Sequence, residues 1–149
     1  MAPAETDEIH AIAARRLSAD GGQRYTTSRR AIIDVLMASH DPMTLPEILI
    51  CDRSLAQSSA YRNLTELIAA GVVHRIVTSE EHAHFELAQD LTGHHHHLIC
   101  TMCGRVTDFV VPEALERQID SDLAEIARSH GFRTEQHQLD LIGRCRGCA

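Results

Sequence analysis

A chain of 149 residues can hold one ordinary domain or two small ones, and domains that small bury too little apolar surface to be secure without a metal or a partner chain. A formal charge of −7 excludes a protein that holds nucleic acid by bulk charge alone. No apolar run approaches the roughly 18 residues that span a bilayer, and the opening Met1-Ala-Pro-Ala-Glu-Thr-Asp-Glu lacks the basic-then-apolar order of a secretory signal, so a cytoplasmic protein without a membrane partner is expected.

Charge is uneven along the chain. Residues 15–62 carry seven Arg against five acids, whereas residues 76–149 carry six Arg against twelve, so the halves are expected to do different jobs. All 14 basic residues are Arg, which suits forked contact with phosphates or guanine edges and equally reflects a GC-rich genome.

In chain order, a first helix is expected from Glu5 to Ser18, with Ile9, Ile12, Ala13 and Leu17 on one face and Asp20-Gly21-Gly22 as its stop. A second spans Thr27 to Ser39 and buries Ile32, Ile33, Leu36 and Met37. Thr44-Leu-Pro-Glu47 has the form of a capping box and opens a short third helix through Ile50. A fourth runs from Gln57 to Gly71 with Tyr61, Leu64, Leu67 and Ile68 as its apolar stripe. The period then changes: Val72 to Val77, a polar turn at Ser79-Glu80-Glu81, and His84 to Leu87 read as a hairpin. Helices followed by such a hairpin make a winged helix-turn-helix, or a small helical domain with a β-arm.

Gln89 to Gly93 reads as a hinge. Beyond it, His97 to Cys100 and Arg105 to Val110 are expected as strands around a tight Cys-Gly turn. A helix from Val111-Pro112-Glu113 to Gly131 carries Leu115, Ile119, Leu123 and Ile126 on one side, and Gln138 to Ile142 alternates as a final strand. The expected class is α+β, with a winged helix over residues 1–88, a hinge over 89–93 and a small metal-stapled α+β unit over 94–149 whose amphipathic helix is available to a second subunit.

Cys100-Thr-Met-Cys103 and Cys145-Arg-Gly-Cys148 carry the strongest chemistry. Two residues between cysteines let both thiolates face one tetrahedral ion, and two such knuckles make a closed four-sulfur site of the kind zinc prefers. The same spacing also serves a redox dithiol. Cys51 stands alone and reads as a plain buried thiol.

His94-His95-His96-His97, if extended, sends alternate imidazoles to opposite faces, so His95 and His97 can serve one metal and His94 and His96 another. A solvated polar loop is the alternative. His74, Glu86 and Asp108 are further donors, and of His84 and Glu86 one is expected to be a bystander. Tyr25 to Arg30 and Ser58 to Asn63 bracket the helix-turn-helix with hydroxyl, amide and guanidinium groups that suit DNA, or ordinary helix caps.

The order Arg24-x-Thr26-x-x-Arg29, Ala60-Tyr-Arg-Asn-Leu64, AGVVHR, FEL, HHHH-LICxxCG and a final CxxC resembles the ferric uptake regulator family over residues 23–148. The resemblance implies a homodimeric repressor whose winged helices bind a palindromic double-stranded DNA operator when a regulatory metal is loaded. It implies DNA contacts from Arg24, Thr26, Arg29, Ser58, Ser59, Tyr61 and Arg62, with Tyr61 and Arg62 on the recognition helix and Arg24 in the minor groove. It makes Cys100, Cys103, Cys145 and Cys148 the structural zinc site and Glu86, His95, His97 and Asp108, with His74, the regulatory site. His94, His96, Glu116 and His137 resemble the additional site of some members. Pro42, between Asp41 and Met43, stands where many iron and peroxide sensors place a histidine, and the additional cysteine of zinc sensors is absent between His74 and His94. The regulatory ion is therefore Fe(II) or Zn(II), with Mn(II) also accommodated. A peroxide sensor of the same family is the alternative function. A zinc-dependent enzyme is a remote one, with no HExxH helix to support it.

Overall fold

The computed structural model describes residues 3–78 and 83–149, so the expected turn at Ser79-Glu80-Glu81 lies outside the described residues. The N-terminal helices are α1 (Pro3–Ala19), α2 (Thr27–Ala38), α3 (Leu45–Cys51) and α4 (Gln57–Ala69). Local chemistry fixes their ends. Thr26 caps α2 by accepting from the Arg29 amide, and Thr44 and Glu47 close the capping box of α3 reciprocally. Ile9, Ala13 and Leu17 of α1, Ile32, Ile33 and Leu36 of α2, Ile48 of α3 and Ala60, Leu64 and Leu67 of α4 meet in one core. Tyr61 corrects the expected stripe: it is 63% exposed, because positions 60, 64 and 67 take the inward face and leave Tyr61 a step around the helix. Cys51, expected to be buried, is exposed at the last position of α3, whose inward face is taken by Ile48.

The wing is a sheet in the order β1-β3-β2, with β2 (Val73–Ile76) and β3 (His84–Leu87) antiparallel as expected. The two-residue β1 (Met43–Thr44), which pairs with β3, was not anticipated; two residues are too short for any alternation to register. The expected hinge is a helical turn, α5 (Gln89–Thr92), stopped by Gly93 at φ 98°, a conformation that costs glycine little.

A second sheet follows in the order β5-β4-β6. β4 (His96–Cys100) and β5 (Val106–Phe109) are antiparallel, and β6 (Asp140–Gly143) returns parallel to β4 after α6 (Glu113–Ser129). The helix crosses over because parallel neighbours cannot be joined by a tight turn. No residue of α6 is buried, and its Leu115, Leu123 and Ile126 are exposed. Among the described residues no helix is long and apolar enough to cross a membrane.

Arg29 departs from its expected role at DNA. It is buried, with its guanidinium bonded to Glu66, to Asn63 Oδ1 at 3.2 Å, to Gln23 Oε1 at 3.1 Å and to the Arg24 carbonyl. It ties α2 to α4 and holds the Arg24 loop. Glu66→Ala leaves that cation buried without its carboxylate and is expected to destabilise the N-terminal half by about 3 kcal/mol in chemical denaturation; a loss under about 1 kcal/mol, the value of a surface pair, would contradict the assignment.

Candidate metal centres

Three groups of donors converge. Cys100 ends β4 and Cys103 lies in the turn after it. Because Gly143 of β6 sits beside Cys100 in the parallel register, the chain leaving β6 brings Cys145 and Cys148 to the same place. The four Sγ atoms lie within 4.8 Å of one another, and Cys103 Sγ and Cys145 Sγ are 3.7 Å apart. That separation is too long for a disulfide, whose sulfurs stand about 2.05 Å apart, and matches the edge of a tetrahedron with metal–sulfur bonds of about 2.3 Å. The amide of Cys145 donates to Cys100 Sγ at 3.3 Å, and with the amides of Cys103 and Met102 it lowers that thiol to about 6. Hydrogen bonding to Cys145 and Cys103 pushes Cys148 up to about 12. The first thiolate forms easily and the last needs a cation, which is the behaviour of a metal cage.

The histidine run divides as alternation requires. Glu86, His95, His97 and Asp108 form one group of donors within 4.8 Å, and His94, His96, Glu116 and His137 form another. In the first, Glu86 Oε2 lies 3.0 Å from His95 Nε2 and 3.1 Å from His97 Nε2, with Asp108 oxygens at 3.7 and 3.8 Å from the same nitrogens. In the second, Glu116 oxygens lie 3.0 to 3.1 Å from the Nε2 atoms of His94, His96 and His137.

The outer ring nitrogens decide what these groups want. Nδ1 faces the Gln89 amide oxygen in His94, the Gly93 carbonyl in His95, Asp140 in His97 and Asp120 in His137, at 2.9 to 3.1 Å. Each of those partners only accepts, so Nδ1 carries the proton and donates it. In the neutral rings the Nε2 lone pairs are then left facing carboxylates, an arrangement that needs a cation between them, either a proton on Nε2 or a metal ion. Asp108 Oδ1, Glu116 Oε1 and His137 Nε2 are buried with no hydrogen bond, as expected of atoms shaped for a metal rather than for each other.

Burial opposes the charge of Glu86, yet hydrogen bonds from His74, His97 and His95 outweigh it and hold the carboxyl at about 2. Burial also disfavours the imidazolium of His97, but Glu86 and Asp140 more than compensate and raise its value above the ordinary histidine range. Burial pushes Asp108 up to about 6. A metal must displace the proton that would otherwise occupy His97, so affinity at this group is expected to fall as pH drops below the raised value of His97, by roughly tenfold per unit for each proton displaced. Chelator competition measures it, and a flat profile would contradict the histidine ligands. The sign for the metal-free protein is opposite: stabilisation from charged His97 is complete on the acid side and is lost as pH rises through its raised value.

His74 stands outside the donor group. Its Nδ1 meets Glu86 Oε1 at 3.1 Å, while His95 and His97 share Oε2, so it steadies the far oxygen of Glu86 and is half exposed. His84, like Glu86 on β3, is in none of the three groups. Asp140, Asp120 and Gln89 were not singled out from sequence. Asp140 had a signal, a carboxylate in the apolar alternation of β6, legible only once β6 is paired with β4 in the register His97 to Asp140.

Of the residues expected at DNA, Arg24, Thr26, Ser58, Ser59, Tyr61 and Arg62 are exposed, and the last four share the first two turns of α4. Ser59 Oγ donates to the Ala56 carbonyl at 2.9 Å and Arg62 pairs with Glu66 at 3.2 Å.

The ferric uptake regulator family matches residues 20–142. The chain is 33% identical over 134 residues to the ferric uptake regulation protein of Legionella pneumophila, spanning 87% of this chain and 93% of that protein. It is 29% identical over 133 residues to a peroxide-responsive repressor of Staphylococcus saprophyticus, spanning 87% and 84% respectively. Among solved structures it is similar to the ferric uptake regulator of Pseudomonas aeruginosa with manganese, at a TM-score of 0.69 and 28% identity over 89% of this chain and 96% of that one.

Proposed function

The chain belongs to the ferric uptake regulator family of metal-responsive transcription regulators, not enzymes, and on that premise we propose that it is a homodimeric repressor that binds a palindromic operator when a divalent metal is loaded. Residues 1–88 act as the reading head, 89–93 as the hinge and 94–149 as the dimerisation unit. Zinc in the four-cysteine group is structural. Fe(II), Zn(II) or Mn(II) in the Glu86, His95, His97 and Asp108 group is regulatory, and a further ion fits the His94, His96, Glu116 and His137 group.

One observation carries this reading: Glu86 comes from the wing, whereas His97 and Asp108 come from the second sheet and His95 from the residue that leads into it. An ion held by all four bridges the reading head to the dimerisation unit, and its differential affinity for the bridged arrangement is what shifts the population. Two imidazoles and two carboxylates accept iron, manganese or zinc, so supply rather than affinity order selects among them. The exposed Leu115, Leu123 and Ile126 of α6, with Leu141 and Ile142 of β6, support the pairing of two subunits.

The test is selection of duplexes from a random-sequence pool under buffered Mn(II), Fe(II) or Zn(II). Palindromic duplexes released by chelation of the regulatory ion are expected; binding indifferent to metal would refute the proposal. Similarity to the Staphylococcus saprophyticus repressor favours one second reading, peroxide sensing, in which Fe(II) beside His95 and His97 directs oxidation to an imidazole. Added oxygen on either histidine after peroxide treatment of the Fe(II) form would select it.

A further inference from the structure

His94 and His95 are consecutive in the chain, yet they belong to different donor groups, and one side chain outside both groups touches each of them. The Gln89 amide nitrogen donates to the His95 carbonyl at 3.0 Å, and the Gln89 amide oxygen lies 2.9 Å from His94 Nδ1. A backbone carbonyl only accepts, so the amide nitrogen must face His95 and the amide oxygen must face His94. His94 is thereby forced to carry its proton on Nδ1, which leaves its Nε2 bare and 3.1 Å from Glu116.

We propose that Gln89 is a positioning residue that couples the two imidazole groups, so that loading either one tightens metal binding at the other. The proposal rests on the reading that both groups hold divalent ions. The peptide joining His94 to His95 cannot turn without moving both rings, and Gln89 grips the segment on either side of it, at the His94 ring and at the His95 carbonyl. Its own footing is firm: Ala88 donates to the Val72 carbonyl at 3.0 Å, and neighbouring Asp90 pairs with Arg16 of α1. Gly93, at φ 98°, closes the turn, and its carbonyl accepts from His95 Nδ1 at 3.0 Å. An ion in one group freezes this shared segment, and a second ion meets a segment already ordered. The coupling is reciprocal, as linkage requires.

The test is a double-mutant cycle on the full chain with its cysteine-bound zinc retained, using Co(II) absorption as the probe. The band lost in His97→Ala identifies the Glu86 group, and His137→Ala disables the other group without altering a residue of the shared segment or a partner of Gln89. In the otherwise unaltered chain His137→Ala is expected to weaken Co(II) at the Glu86 group about fivefold, within the usual range for coupled sites. In the Gln89→Ala background the same change should cost less than about twofold, the scatter of independent sites. Gln89→Glu keeps the acceptor for His94 and removes the donor to His95. It should preserve binding at the Glu116 group while abolishing the coupling, a split that general destabilisation would not produce. An equal effect of His137→Ala in both backgrounds, or none in either, would overturn the coupling alone. A Co(II) spectrum indifferent to His97→Ala would overturn the reading of the sites and the coupling with it.

Discussion

Cys145→Ala is expected to release the cysteine-bound ion and to unfold the C-terminal half while the N-terminal helices persist. The buried apolar cluster of the chain reaches no further than Leu91. Beyond it the buried apolar residues are Cys100 and Val106, accompanied by buried His96 and His97. A sheet with so little apolar interior needs another source of stability, and zinc in the four-cysteine group would supply it: structural zinc in small sites contributes about 10 to 16 kcal/mol in apparent terms, as much as the whole stability of an ordinary domain. Metal content by mass spectrometry and a two-step thermal transition check the result. Stoichiometric zinc with unchanged melting in the variant would contradict the staple.

The second large effect concerns the bridging group. His95→Ala combined with His97→Ala removes half of its donors and is expected to weaken metal-dependent operator binding at least 100-fold, while zinc stays in the cysteine group. Glu86→Ala should act as strongly although it is one residue, because it is the donor that the wing contributes. Asp140→Asn should cost only about tenfold, since it loosens the outer nitrogen of His97 and leaves every inner donor in place. That ranking separates bridging from a general loss of charge, which would make the two carboxylate changes alike.

Much of this architecture was legible because local rules agreed with it. The capping box at Thr44, the alternation of the histidine run and the CxxC spacing each depend on neighbours a few residues away, and each appears in the structure where the sequence puts it. What escaped depends on distant pairing. β1 exists only because β3 lies beside it, and Asp140 reaches His97 only through the parallel β4 and β6 register. The motif points Arg29 at DNA, but the acid that pairs with it, Glu66, sits a helix away in sequence. His74 lies close to the regulatory group yet meets the other oxygen of Glu86, a distinction that spacing cannot carry. The exposed face of α6 reads as amphipathic in sequence and remains uncovered in the single chain, as a surface meant for a second copy would.

The central claim is that one ion joins the wing to the second sheet. Pulsed electron paramagnetic resonance of Mn(II) added to the zinc-loaded protein tests it most directly. The account predicts nitrogen couplings from two imidazoles that vanish together in the His95→Ala, His97→Ala variant and a Mn(II) environment that changes again in Glu86→Ala. Couplings that survive those substitutions would place the ion elsewhere and contradict the bridge.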